Sequence, residues 1–312
     1  MSPKSLWHIA SNFSEIREES PSNDGSLIEV EALYSAISIG TETLVATGKV
    51  PSEMHDKMTV PYMEGSFNFP LKYGYSLVGK THAQELVHIM HPHQSAIVVN
   101  PKSCFYFSDT INPIVATQFS NLETVVNALW TSEVTKEDTV LVCGSGSVGI
   151  LLAKTLKDYI DAKVYIKEVN EEKVRKLKHL GFDIAEDFMN FDIAFNVSAN
   201  ENGLQYCIDH MVTEGKIIEL SWYGTKKVEL NLGTDFHYKR LQILSSQVSE
   251  IPKKYQGEFD FVSRKKWVEK IMLQVDFLPL ITNIIPFEEL PQFFSDIRKN
   301  KSQNHFITIV KY

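Results

Sequence analysis

Cysteine is scarce: residues 104, 143 and 207 are the only three in 312, and no two form a Cys-x-x-Cys pair. That excludes a disulfide framework and a thiolate zinc cluster, and it fits a reducing, cytoplasmic setting. Nowhere do eighteen apolar residues follow one another, so no membrane-spanning helix is expected. The opening MSPKSLWHIASNFSE lacks the apolar core of a signal peptide. Basic charge is also in deficit, with 31 Lys and Arg against 39 Asp and Glu and a formal net charge of -8. Binding to a phosphate backbone needs clustered cations, so nucleic acid is not an expected partner. The one dense basic stretch, Lys173 to Lys178, reads as the exposed face of a helix. Low-complexity tracts and fixed-period repeats are absent, which excludes solenoids and long disordered tails.

What remains is ordinary globular composition, 43% hydrophobic and 22% charged, in a chain long enough for two domains. From Ile28 to Val99 the apolar segments are short and β-like, separated by Gly40, Gly48, Pro51, Pro61, Gly65, Pro70 and Pro92. That texture predicts a small antiparallel barrel with long loops. Near Ser120 it changes. Leu122, Val125, Val126 and Leu129 recur at helical spacing, and strand-like and helix-like runs then alternate from DTVLVCG onward. Such alternation predicts a parallel sheet with right-handed crossovers. The expected fold class is α/β. The barrel domain takes 1–120 with a return segment 248–312, and the doubly wound domain takes 121–247.

The most informative motif is Gly144-Ser145-Gly146-Ser147-Val148-Gly149. It directly follows an apolar strand, opens an amphipathic helix, and precedes Glu168 at the end of the next strand, as the dinucleotide fingerprint requires. Gly144 permits the tight turn, Gly146 lets backbone approach a pyrophosphate, and Gly149 lets helix pack on strand. The helix N-terminus offers free N–H groups and a positive dipole end. Glu168 is placed to accept from the ribose hydroxyls and to repel a 2′-phosphate, so NAD is expected, with NADP allowed by nearby Lys167 and Arg175.

Several long strings carry a further resemblance: ISIGTETLVATGKVPSEMHDKM, PYMEGSFNFPLKYGYSLVG, NLETVVNALW, ELSWYG, LGTDFHYKRLQILSSQV and PFEELP. With them the chain resembles the medium-chain dehydrogenases, and within these the bacterial 3-hydroxyethyl bacteriochlorophyllide a dehydrogenase family. The resemblance implies a GroES-like β-barrel catalytic domain followed by a Rossmann domain. It also implies that the zinc sites are lost. Zinc-type members carry Cys where this chain has Ser38, and Gly-His-Glu where it has Gly74-Tyr75-Ser76. Their third ligand falls near Ser120 or Asn121, and the four closely spaced Cys of the structural lobe are missing. His88, His91 and His93 lack a carboxylate or Cys companion and are read as satisfied surface or turn histidines. No metal is expected.

Hydride transfer without zinc needs another group to stabilise and protonate the reacting oxygen. Under the resemblance, Thr41 and Tyr75 face the cleft and His237 approaches from the cofactor domain; Tyr73, Glu42 and His55 are reserves. Ser221, Trp222 and Tyr223, and Ser246 with Gln247, follow strands whose ends should line the cofactor. The expected activity is hydride transfer between nicotinamide and a secondary alcohol or ketone on a bulky small-molecule substrate, and the resemblance admits a homodimer. A zinc-free quinone or enone reductase and a non-catalytic NAD(P)-binding regulator are the competing readings.

Overall fold

The computed structural model describes residues 2–20, 26–108, 110–299, 301 and 304–312. In chain order the strands are β1 (Lys4–Ala10), β2 (Phe13–Glu18), β3 (Ile28–Ala36), β4 (Glu64–Gly65), β5 (Leu71–Lys72), β6 (Leu77–Thr81), β7 (Leu86–Ile89), β8 (Ala96–Val99), β9 (Cys104–Tyr106), β10 (Thr139–Cys143), β11 (Lys163–Lys167), β12 (Asp183–Ile184), β13 (Phe191–Asn196), β14 (Met211–Glu219), β15 (Gln242–Ser245), β16 (Ile281–Pro286) and β17 (Ile307–Lys311). The chain divides into two compact units: Met1–Ser120 with Ile281–Gln303 and Ile307–Tyr312, and Asn121–Leu280 with Asn304–Phe306.

The first unit is built from two sheets, one in the order β2-β1-β5-β4 and one in the order β16-β17-β3-β6-β7-β9, with β8 also paired to β3. β3 is long enough to serve three partners, taking β8 along Ile28–Glu31, β6 along Val30–Ser35 and β17 along Tyr34–Ala36. One core gathers Val30, Ala32, Leu77, Val87, Ile89, Ile97 and Val99. A second packs Leu6 and Ile37 against Leu290, Phe294 and Val310 from the end of the chain. Full burial of each such side chain is worth about 1.5–3 kcal/mol, which is what closes the short strands into one body.

The second unit is a sheet ordered β12-β11-β10-β13-β14-β15 whose paired strands all run parallel. Val140, Leu141 and Val142 of β10 are all fully buried, as a strand covered on both faces must be. Helices Ser147–Thr155, Glu171–His179 and Glu201–Asp209 make the crossovers. Leu204, Cys207 and Ile208 of the last one bury against Phe191, Ala194 and Ile217. Strand order reverses at β10, and such a switch point is where doubly wound sheets hold ligands, at the carboxyl ends of the strands.

Residues 248–280 do not return to the barrel, as the sequence reading had it. They belong to the second unit, and the return begins at Ile281. Helix Phe261–Gln274 starts with a capping box between Asp260 and Ser263. Its buried Arg264 donates twice to Glu123, at 3.2 and 3.1 Å, and once to the Val248 carbonyl at 2.6 Å. Trp130 stacks on Phe259 at 5.0 Å and meets Trp267 at 5.4 Å. A charge-assisted fork and an aromatic stack hold this stretch in the second unit.

Candidate functional site

In the first unit the site grows from the start of helix Ile39–Ala46. Ser38 is its N-cap residue, yet its side chain makes no cap hydrogen bond. Glu42 answers that end instead, accepting from the Ser38 N–H at 2.8 Å. The Ser38 and Thr41 hydroxyls lie close enough to the Tyr75 phenol to favour its ionised form. Burial first, with the nearby Glu42 carboxylate adding to it, pushes the Tyr75 phenol up to about 12 against the pull of those two hydroxyls. The group is therefore an acid at neutral pH and a hydrogen-bond donor.

Beneath this trio runs a buried chain. Glu42 and His93 are each 1% exposed, and the His93 Nε2 lies 2.9 Å from Glu42. The Nδ1 of His93 lies 2.7 Å from Ser35 Oγ, which is 2.9 Å from the Tyr312 hydroxyl. Glu42 was a reserve candidate; His93, Ser35 and Tyr312 were missed as members of this group. The three histidines are buried rather than at the surface. His88 points Nε2 at Ser76 and Ser120, both at 3.1 Å, and His91 bonds the Pro92 carbonyl at 2.9 Å. Among the described residues no group of three His, Cys, Asp or Glu is arranged to hold a metal. Tyr73 donates to the Met58 carbonyl at 3.2 Å and packs edge-on against Tyr75 at 6.2 Å. His55 packs on Phe67 at 5.0 Å. Both read as walls.

In the second unit the fingerprint glycines differ in what they require. Gly144 has φ +105° and Gly149 sits so close that a Cβ would come within 2.1 Å of the Gly144 carbonyl. Gly146 has an ordinary φ of -71°, and a Cβ there would meet nothing within 4 Å. Protein packing explains the first two glycines and leaves open space at the third, where a pyrophosphate would lie. Gly146 is also the N-cap of helix Ser147–Thr155 and contributes no side-chain bond, so the first N–H groups stay free. Ser147, by contrast, donates its hydroxyl to the Phe306 carbonyl at 3.2 Å, and Val148 is only half-buried at the start of the helix.

Glu168 accepts from the Ser145 N–H at 3.1 Å, the Ser145 hydroxyl, and the N–H groups of Val169 and Asn170 at 2.8 and 2.9 Å. Burial raises its carboxyl, but Ser145, Asn170 and Lys173 together hold it below the usual carboxylate range. It braces the glycine loop at the end of β11, the position from which ribose hydroxyls are read.

A second polar cluster closes the carboxyl ends of β13 and β14. Asn196, fully buried, donates to Glu219 at 2.7 Å and to the Tyr223 hydroxyl at 3.0 Å. The Ser221 N–H donates to Glu219 at 2.7 Å, and the Ala199 N–H reaches the Ser221 hydroxyl at 3.0 Å. Burial, then Glu219, raise the Tyr223 phenol. Ser221 and Tyr223 thus sit at the expected strand ends, with half-buried Trp222 between them. Asn196 and Glu219 were missed, although each is the last residue of an apolar strand run. Ser246 accepts from Thr131 at 3.0 Å and from Asn127 at 3.3 Å, and Gln247 turns back on Ser249, so both serve helix and turn structure. His237 is exposed on the short helix Asp235–Tyr238 and joins neither cluster.

Comparison with known proteins sets these features in a class. No family model matches the chain. The L-threonine 3-dehydrogenase of Yersinia pestis is 26% identical over 220 residues, 66% of this chain and 61% of that enzyme. The chain therefore matches less than two thirds of that relative's length. An alcohol dehydrogenase from Escherichia coli, solved with NADH, has a TM-score of 0.75 at 16% identity, with both chains fully covered. A protein from Sinorhizobium meliloti described as a zinc-binding dehydrogenase, bound to NADP, gives 0.78 at 14% identity, again covering both chains fully. L-idonate 5-dehydrogenase of Escherichia coli gives 0.77 at 13% identity, covering all of this chain and 99% of that one. The fold is that of the medium-chain dehydrogenases, a GroES-like unit and a Rossmann unit.

Proposed function

We propose that the chain is an NAD(P)-dependent dehydrogenase or reductase of the medium-chain alcohol dehydrogenase type that works without zinc. The observation that carries this reading is the Tyr75 phenol, held protonated by burial and flanked by the Ser38 and Thr41 hydroxyls, at a position where zinc-type members carry a ligand. The bound nicotinamide would supply or take up hydride. The free N–H groups at the start of helix Ser147–Thr155 hold the pyrophosphate, and Gly146 leaves room for it. Glu168 accepts from the ribose hydroxyls, which favours NAD over NADP. Tyr75 donates its proton to the carbonyl oxygen of a ketone, and Ser38 and Thr41 then donate to the phenolate. Glu42 opposes a standing phenolate charge, so the proton leaves only as the substrate oxygen becomes basic. The aromatic side chains Trp222 and Tyr223, and the resemblance to a family acting on a tetrapyrrole, support a bulky, flat substrate carrying the secondary alcohol or ketone.

The test is NADH oxidation by the chelator-dialysed protein across a panel of aryl and polycyclic ketones, with elemental analysis of the same sample. Turnover at substoichiometric zinc is expected. Activity that appears only when zinc is restored would overturn the reading, and turnover confined to quinones would transfer it to quinone reduction.

A further inference from the structure

The first unit carries a half-open cavity of about 560 Å³ that none of Ser38, Thr41 and Tyr75 lines. The buried Lys72 ammonium stands in its wall, and its donors are spent. They go to Glu64 at 2.5 Å, Glu19 at 3.3 Å and Gln94 at 3.0 Å. Two carboxylates on one ammonium leave excess negative charge, and Glu29 and Glu31 add more at the rim, with Lys80 the other lining ammonium. Glu19 stays ionised, because Ser5, Trp7 and Lys72 outweigh the effect of its burial.

An independent observation points to what would enter. His91 lines the same cavity and is 4% exposed. Its Nδ1 lies 2.9 Å from the Pro92 carbonyl, which only accepts, so Nδ1 carries the proton. Burial, helped by Lys72, brings this histidine down to about 4, so the ring is neutral and Nε2 is a lone pair. Among the described residues that lone pair has no partner. Tyr62 stacks on the ring at 5.0 Å and is itself held by Ser103 and the Asn100 N–H at 2.9 and 3.1 Å. The cavity thus offers a fixed aromatic wall, an open acceptor and excess carboxylate, with the Lys80 ammonium turned to Gln84 at 3.2 Å.

We propose that this cavity binds a small organic cation bearing N–H donors, a protonated amine or guanidine, which donates to His91 Nε2 and sets its charge against Glu64 and Glu19. Such a ligand answers the open acceptor and the excess charge at once.

The test is isothermal titration of the full chain with agmatine, and with 1-pentanol as the uncharged control. Saturable one-to-one binding of agmatine, and none of pentanol, is expected. His91→Phe keeps the stacked ring and removes the acceptor, and it should weaken agmatine about tenfold. Glu64→Gln should weaken it similarly, and since the Glu64 side chain is 54% exposed the fold survives that change. Tyr75→Phe should bind agmatine as wild type does. No saturable heat up to millimolar agmatine, or unchanged affinity in both variants at the cavity, would overturn the proposal.

Discussion

At the scale of single residues, spacing and identity together reveal a role only when the partners are close in sequence. Glu168 is such a case: it follows the glycine motif within one strand-helix-strand unit, and it was readable there. Its pairing with Ser145 was not, and that pairing gives it a bracing role beside the ribose-reading one proposed for it. Glu168→Ala should therefore weaken NADH by about tenfold or more through loop and ribose together, while NADP loses less because a repelling charge has gone. Fluorescence titration with both cofactors checks this, and a variant that loses both equally would leave Glu168 only its bracing role. The Glu42–His93 contact joins residues 51 apart. Nothing in the local sequence of either marks it, because only the folded barrel brings them together. His237 marks the opposite limit, exposed on a short helix. A histidine in a suggestive string carries no information about exposure.

At the scale of elements, the helices and strands of the Rossmann unit follow from apolar period and from the glycines that punctuate it. The barrel strands β1 and β2 escaped the reading because their burial is partial and their alternation imperfect. The boundary at Ile281 was hidden because Arg264 and Trp267 look like surface residues until their partners on helix Phe119–Ser132 are known. The glycine loop yields a sharp contrast. Gly149→Ala forces a Cβ onto the Gly144 carbonyl at 2.1 Å and should lower the melting temperature of the second unit. Gly146→Ala meets no protein atom within 4 Å and should melt like wild type, yet lose NADH affinity by about tenfold or more. Calorimetry with and without NADH separates the two. A Gly146→Ala variant that binds NADH normally would remove the pyrophosphate from this loop.

At the scale of the whole molecule, the first unit carries two buried histidines held far below their ordinary value. Burial, aided by Arg298, lowers His8 to about 3, and burial lowers His91 to about 4, each from 6.5. Both are neutral in the fold and become protonated near pH 6.5 when the chain unfolds. Their contribution is thus complete above that pH and is lost as pH falls from about 6.5 toward 4. The slope approaches about 1.4 kcal/mol per pH unit for each proton taken up. Urea unfolding of the first unit at pH 7, 6 and 5 should show this decline; a flat profile would place both rings in contact with solvent. The account as a whole turns on whether Tyr75 supplies the proton that zinc chemistry would otherwise manage. The most direct measurement is single-turnover hydride transfer from NADH to a ketone substrate in wild type and in Tyr75→Phe, which keeps the ring and removes the hydroxyl. A fall of about 10²-fold or more in the transfer rate, with NADH affinity unchanged, is the predicted result. A Phe variant that transfers hydride at the wild-type rate would contradict it and leave Tyr75 as filler in the barrel wall.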